Sequence, residues 1–194
     1  ADEPLAALRA GGREDIWGYR FDWDEQGRLL WLDLSELLGA AHAVDLFFTF
    51  GFLDLGRWTD DFYADPAAAA ELSRRMRSYW THFARTGAPG RGRNGDLPEW
   101  KPFGRGAGAP HYLLIDGESG GGLRMHGDVV TVASVAERLA ADPRVESDRE
   151  RCRLFADLVR WSGAYERSDY RSFAGGRCTA WPSRTRAPTD APPA

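Results

Sequence analysis

Residues 16–23 read IWGYRFDW, and this aromatic stretch is the clearest indication of the fold. Aromatic side chains occupy every second position, which is the spacing that places alternate residues on one face of a β-strand. The shared face comprises Trp17, Tyr19, Phe21 and Trp23. A strand with this much apolar surface needs neighbours, so we predict that Ile16–Trp23 lies inside a sheet.

Most of the other predicted elements are helices. The strongest is Pro66–Arg85, with Asp65 as its N-cap and Gly87 at its end. Its apolar stripe at helical spacing consists of Leu72, Met76, Tyr79, Trp80 and Phe83. Two further helices are predicted, over Ala133–Ala141 and from a capping box at Ser147 to Gly163. The apolar run Leu46–Phe52 is too short to assign.

A second strand, Tyr112–Ile115, is the remaining buried-type segment. Strands and helices together predict an α/β fold, but two strands do not form a self-sufficient sheet. We therefore expect an incomplete sheet with flanking helices, whose other strands lie outside this chain. In this interpretation residues 1–178 form one part of a larger domain. Residues 179–194 are rich in proline and are predicted to be disordered.

The composition excludes several classes of protein. A net charge of -4 gives no electrostatic reason to expect nucleic acid or an anionic membrane as a partner. No stretch approaches the roughly 18 consecutive apolar residues that indicate a membrane span. The two cysteines, Cys152 and Cys178, exclude a disulfide-dense mini-domain. A disulfide between them and a pair of reduced, buried thiols are equally compatible with their spacing.

Two residues are candidates for hydrolytic chemistry. His42 lies among small residues, where an imidazole can approach a partner without obstruction. Ser119 lies in a literal G-x-S-x-G motif, Gly117–Gly121. A nucleophile elbow requires a strained strand-to-helix turn, whereas more glycine follows here, so we interpret Ser119 as part of a mobile loop. No spacing of histidine, cysteine or acidic residues predicts a metal site.

Three stretches, taken together, resemble one enzyme family. They are IWGYRFDW (16–23), GAAHAVDLFFTFG (39–51) and LSRRMRSYWTHFARTG (72–87). In this order and spacing they resemble the last third of the type-B carboxylesterases, a family of α/β-hydrolase fold that includes the cholinesterases. LPEW (97–100) and YLLID (112–116) continue the resemblance, which covers roughly residues 14–116.

The resemblance implies that His42 is the histidine of a Ser–His–acid triad. It also implies a small-molecule carboxylic ester as substrate and no cofactor. In this family a glycine directly follows the histidine and a glutamate stands two residues further on, where this chain has Ala43 and Asp45. Ala43 is accommodated if its φ is negative. We interpret Asp45 as structural, not as the triad acid. Leu46, Phe47, Phe48 and Phe50 are expected to pack beneath the catalytic loop.

The family's nucleophile elbow, oxyanion-hole glycines and triad acid have no counterpart in these 194 residues. We therefore expect the chain to be the C-terminal portion of a serine carboxylesterase, whose missing N-terminal portion carries the serine nucleophile. The chain alone is expected to be inactive. It is also expected to fold poorly, because the aromatic strand lacks covering.

Two other interpretations remain open. In the first, the chain is a non-catalytic, cholinesterase-like module for binding or adhesion, although the presence of His42 argues against this. In the second, the chain is a compact hydrolase with Ser119 as its nucleophile, and a fluorophosphonate would label that serine.

Overall fold

The sheet of this protein lies in the first of two compact units, Ala1–Val129 and Val130–Ala194. The computed structural model describes residues 2–104, 109, 111–128 and 130–181. Strands and helices are both present in the first unit, and helices alone build the described part of the second. The predicted mixed α/β architecture is confirmed for the first unit.

Three strands form the main sheet in the order β1-β4-β5. Strand β1 (Gly18–Phe21) pairs in parallel with β4 (Tyr112–Ile115), and β5 (Arg124–His126) runs antiparallel to β4. β1 is shorter than predicted, because the Ile16 carbonyl accepts a hydrogen bond from the Phe103 amide instead of joining the ladder. The outer edge of β1 pairs with no other strand among the residues that the structure describes.

The aromatic face of β1 is covered by helices of this chain. Trp17 contacts Phe83 and Tyr19 contacts Trp80, both from helix α5 (Pro66–Thr86). Phe21 and Trp23 pack on Phe48 of helix α3 (Val44–Phe50). The expectation that this face lacks covering is therefore wrong, although Tyr19 remains 36% exposed. On the opposite face, helix α1 (Asp2–Ala10) comes so close that a Cβ on Gly18 would lie 2.5 Å from Leu5 Cδ1.

Helix α5 forms where its capping residues predict it. The Asp65 carboxylate accepts the amides of Ala67 and Ala68, each at 2.9 Å, and Gly87 ends the helix with a φ of 80°. The buried part of its stripe consists of Leu72, Met76 and Tyr79, while Phe83 stays 46% exposed. α5 is tied to α3 by the Ser73 hydroxyl, which donates to the Phe48 carbonyl at 2.6 Å.

Short elements connect β1 with α5. The hairpin of β2 (Arg28–Leu29) and β3 (Leu32–Asp33) leads into helix α2 (Leu34–Leu38). The apolar run left unassigned from sequence belongs mostly to α3, which begins at Val44. A 3₁₀ turn (Gly56–Trp58) and helix α4 (Thr59–Phe62) then complete the connection.

The second unit contains helices α6 (Val132–Ala141), α7 (Asp148–Trp161) and α8 (Arg167–Gly176). Ser147 is the N-cap of α7 as predicted, and its hydroxyl accepts the Glu150 amide at 3.1 Å. α8 is followed by a 3₁₀ turn (Arg177–Ala180). Cys152 and Cys178 form a disulfide, which decides between the two alternatives left by the sequence. The 3₁₀ turn includes Thr179 and Ala180, and most of the predicted disordered segment, residues 182–194, lies outside the described residues. None of the described helices is long and apolar enough to cross a bilayer.

Candidate functional site

His42 lies on the short turn that connects helix α2 with helix α3. Gly39 ends α2 with φ 53° and ψ −146°, a conformation that strongly favours glycine. The Ala41 amide then donates back to the Gly39 carbonyl at 2.8 Å, and the Val44 amide to the Ala41 carbonyl at 3.3 Å. These bonds form a tight turn, and the His42 side chain at its tip is exposed. No hydrogen bond or ion pair joins its imidazole to any residue that the structure describes.

The residue after the histidine has a strained backbone. Ala43 has a φ of 68° and a ψ of 0°, in the left-handed region. The condition under which an alanine fits here without strain, a negative φ, is therefore not met. A left-handed conformation costs an L-residue about 1–2 kcal/mol relative to the right-handed one, and only glycine adopts it freely. The geometry explains why a glycine suits this position.

Two side chains from outside the turn fix its two ends. At the start, the Gln26 side-chain amide donates to the Gly39 carbonyl at 2.7 Å. At the end, the Tyr19 hydroxyl donates to the Asp45 carboxylate at 2.7 Å. Burial, with a smaller contribution from the Asp45 carboxylate, raises the pKa of Tyr19 to about 12. Asp45 thus links α3 to β1, in agreement with the structural role inferred from sequence.

Apolar side chains of helix α3 divide into a buried and an exposed group. Val44 and Phe48 are buried in the core, and Phe47 is half-buried against it. Leu46 and Phe50, expected to pack beneath the turn, are instead 49% and 62% exposed. The exposed imidazole therefore stands at the start of a helix that presents uncovered apolar side chains.

Ser119 lies in a different environment. The structure places it in a glycine-rich turn between β4 and β5, without the helix that a nucleophile elbow requires. Its hydroxyl donates to the Glu25 carboxylate, and no histidine of the described ranges hydrogen-bonds it. A carboxylate alone does not provide the imidazole that activates serine in a triad, so the turn offers no base–nucleophile pair.

The other three histidines are engaged elsewhere. The His82 Nδ1 atom lies 2.8 Å from the Ala88 carbonyl oxygen, and His111 is buried against the Phe103 ring. His126 lies 3.2 Å from the Asp128 carboxylate, measured from Nε2 to Oδ2. Within the described part of the chain, no group of three or more histidine, cysteine or acidic side chains is arranged to hold a metal ion.

An aromatic cleft of about 480 Å³ opens beside β1. Its walls include Trp17, Tyr19, Trp80 and Trp100, and the Arg13–Asp15 ion pair also lines it. The indole of Trp100 donates to the Gly18 carbonyl at 3.0 Å, so this ring offers the cleft its apolar surface. A cleft of this size and lining suits an apolar group.

The sequence marks His42 as a candidate, but it does not mark Gln26 or the hydroxyl of Tyr19. Both act on the turn from other segments, 13 residues before Gly39 and 26 residues before Asp45. No local pattern marks Gln26, which follows two acidic residues in a stretch that reads as an ordinary surface turn. Only its burial, at 5% exposure, distinguishes it.

Comparison with known proteins identifies relatives for this part of the chain. The model of the carboxylesterase family matches residues 4–130, which include the His42 turn and all five strands of the described residues. An acetylcholinesterase of Gallus gallus is 34% identical over 93 residues, which make up 48% of this chain and 10% of the relative. The chain therefore spans a small part of that relative's length.

Proposed function

Because this chain belongs to the carboxylesterase family, we propose that it is the histidine-bearing part of a serine carboxylesterase. In this proposal it forms the C-terminal portion of an α/β-hydrolase fold, and His42 is the general acid and base. The observation that carries the proposal is the exposed imidazole of His42, which has no partner among the described residues and stands on a turn fixed at both ends.

The chemistry requires that imidazole to shuttle one proton in each half of the reaction. It takes the proton of a serine hydroxyl as the oxygen attacks the ester carbonyl carbon, then gives that proton to the departing alcohol. The acyl-enzyme that remains is attacked by water, whose proton passes to the imidazole and then to the serine oxygen as the acid leaves. A carboxylate on the second ring nitrogen fixes the tautomer and stabilises the imidazolium.

The nucleophile and the acid are proposed to come from polypeptide outside this chain. Three observations support this division: the small share of the acetylcholinesterase that the chain spans, the ring of His42 without a carboxylate partner in the described ranges, and the unpaired outer edge of β1. Sheets most often contain about four to six strands, and an edge strand with an unpaired row of amides and carbonyls is a place where another strand can pair. An additional strand on β1 would extend the sheet. Without the nucleophile and the acid, the chain alone should be inactive.

The proposed substrate is a carboxylic ester with an apolar acyl or alcohol group. Leu46 and Phe50 support this class, because both are exposed on the helix that follows His42. Apolar side chains exposed to this degree favour an apolar ligand or a covering segment, since their burial removes hydrocarbon surface from water.

The test compares two histidine variants in the full gene product that contains this chain. His42→Gln should lower the rate of p-nitrophenyl ester hydrolysis by about 10⁴-fold or more, as loss of a triad base does in serine hydrolases. His126→Gln is the matched control, because His126 already has a carboxylate partner, and it should retain activity. Full activity in His42→Gln would contradict the proposal, as would ester turnover by the isolated chain.

A binding module without catalysis is the second candidate, and the aromatic cleft beside β1 favours it. In that case the full gene product would lack ester hydrolysis and carry no serine at the family's elbow position. An apolar ligand would still quench the fluorescence of the tryptophans that line the cleft. Activity that depends on His42 would exclude this candidate as the main function.

A further inference from the structure

We propose that Gln26 is a positioning residue for His42: its buried side-chain amide fixes the turn that presents the imidazole. This inference rests on the proposed function for its catalytic consequence only. The effect of Gln26 on the turn does not depend on that function, and it is measurable in the 194-residue chain.

The contact is specific in chemistry and geometry. The Gln26 Nε2 atom lies 2.7 Å from the Gly39 carbonyl oxygen, which also accepts the Ala41 amide at 2.8 Å. A carbonyl oxygen only accepts hydrogen bonds, so the amide nitrogen of Gln26 must face it. The Gly39 carbonyl oxygen, just before His42 in the turn, therefore accepts one hydrogen bond from the turn itself and one from a separate segment.

The backbone that carries Gln26 is itself held firmly. Gln26 forms an isolated bridge with Tyr63. The Gly27 amide donates to the Phe62 carbonyl at 2.9 Å, and the Ala64 amide to the Glu25 carbonyl at 3.2 Å. These bonds hold the backbone on both sides of the Gln26 Cα. A donor on a rigid base restrains its acceptor more strictly than a donor on a mobile loop does.

The side chain is poorly suited to a role in stability alone. Gln26 is 5% exposed, yet its Oε1 atom is buried and has no hydrogen-bond partner among the described residues. A buried polar atom without a partner is unfavourable, and an apolar side chain of the same shape avoids that penalty. What the amide supplies and an apolar side chain does not is the bond to Gly39. That bond acts on a turn whose Ala43 is strained and needs support from its surroundings.

The first experiment measures amide hydrogen exchange in the 194-residue chain. Gln26→Met keeps the length of the side chain and removes the donor. We expect the Ala41 and Val44 amides to exchange about five- to tenfold faster, the effect of one lost hydrogen bond, while the melting temperature stays the same or rises. Tyr63→Phe is the matched control, since it removes a buried hydroxyl without a partner in the described residues from the same bridge. It should leave both amides unchanged.

Gln26→Glu provides a rescue within one variant. Its carboxyl group cannot donate when ionised but can donate to Gly39 when protonated. At each pH, the exchange rates of the Ala41 and Val44 amides in this variant are divided by the wild-type rates. This ratio should fall toward 1 as the pH drops below the pKa of that carboxyl group. A fall in melting temperature without faster turn exchange, in either variant, would overturn the proposal and leave Gln26 a structural residue.

The catalytic consequence is tested in the full gene product. Gln26→Met should lower kcat about tenfold or more and leave KM within a factor of about two, because a displaced base slows chemistry without weakening binding. Faster exchange with unchanged kcat would show that the turn is loosened but that His42 is not the base. That result would contradict the proposed function, and it is distinct from the outcome that overturns the positional claim.

Discussion

Ala43 gives the sharpest test at the scale of a single residue. Its φ of 68° is strained for an L-residue, and Ala43→Gly removes that strain. The gain of about 1–2 kcal/mol is partly offset by the greater freedom of glycine in the unfolded chain, so we expect a net stabilisation of about 0.5–1 kcal/mol. Thermal unfolding measures it. Ala40→Gly, in the same turn without a positive φ, should lower stability instead, and equal effects from both variants would contradict the assigned strain.

The sequence indicates His42 as a candidate but does not indicate which residues surround it. Small neighbours and the family resemblance single out the histidine, because both are features of consecutive residues. The left-handed φ of Ala43 was not predicted, since alanine avoids that region and nothing adjacent demands it. The contacts from Gln26 and Tyr19 depend on segments that meet only after folding, which no local pattern reveals.

Among the elements, the disulfide of the second unit carries a measurable part of the stability. Cys152 in α7 and Cys178 in the 3₁₀ turn enclose a loop with a separation of 26 residues. Chain-entropy arguments give such a crosslink about 3.5 kcal/mol, which is large for a unit whose described part consists of short helices. Reduction, or the Cys152→Ala/Cys178→Ala double variant, should therefore accelerate amide exchange in α7 and α8 by more than about 100-fold. Unchanged exchange in both helices would contradict this role.

The elements that were predicted well have local determinants. Helix α5 matches its capping residues at both ends, because Asp65 and Gly87 act on the turns beside them. The pairing of β1 with β4 joins Gly18 to Tyr112 across most of the first unit. A parallel pairing over that distance depends on the whole fold, so the sequence indicated two strands without showing that they are neighbours.

For the whole molecule, buried tyrosines predict instability at alkaline pH. Burial raises the pKa of Tyr63 to about 12 from an ordinary value of 10.0, and burial raises the pKa of Tyr79 as well. The folded state thus favours the neutral phenols. Their contribution to stability is complete below about pH 10 and is lost as the pH rises toward about 12. Tyrosinate absorbance should follow unfolding in this window, and Tyr63→Phe should weaken the pH dependence. Ionisation of all tyrosines near pH 10, with the fold intact, would contradict the burial.

The most direct test of the central claim is covalent labelling of the full gene product with a fluorophosphonate, followed by mass spectrometry of the labelled peptide. We expect one labelled serine, located outside the 194 residues of this chain, with loss of the label in His42→Gln and retention in His126→Gln. Label on Ser119, or label that persists in His42→Gln, would show that the imidazole of His42 does not activate the nucleophile.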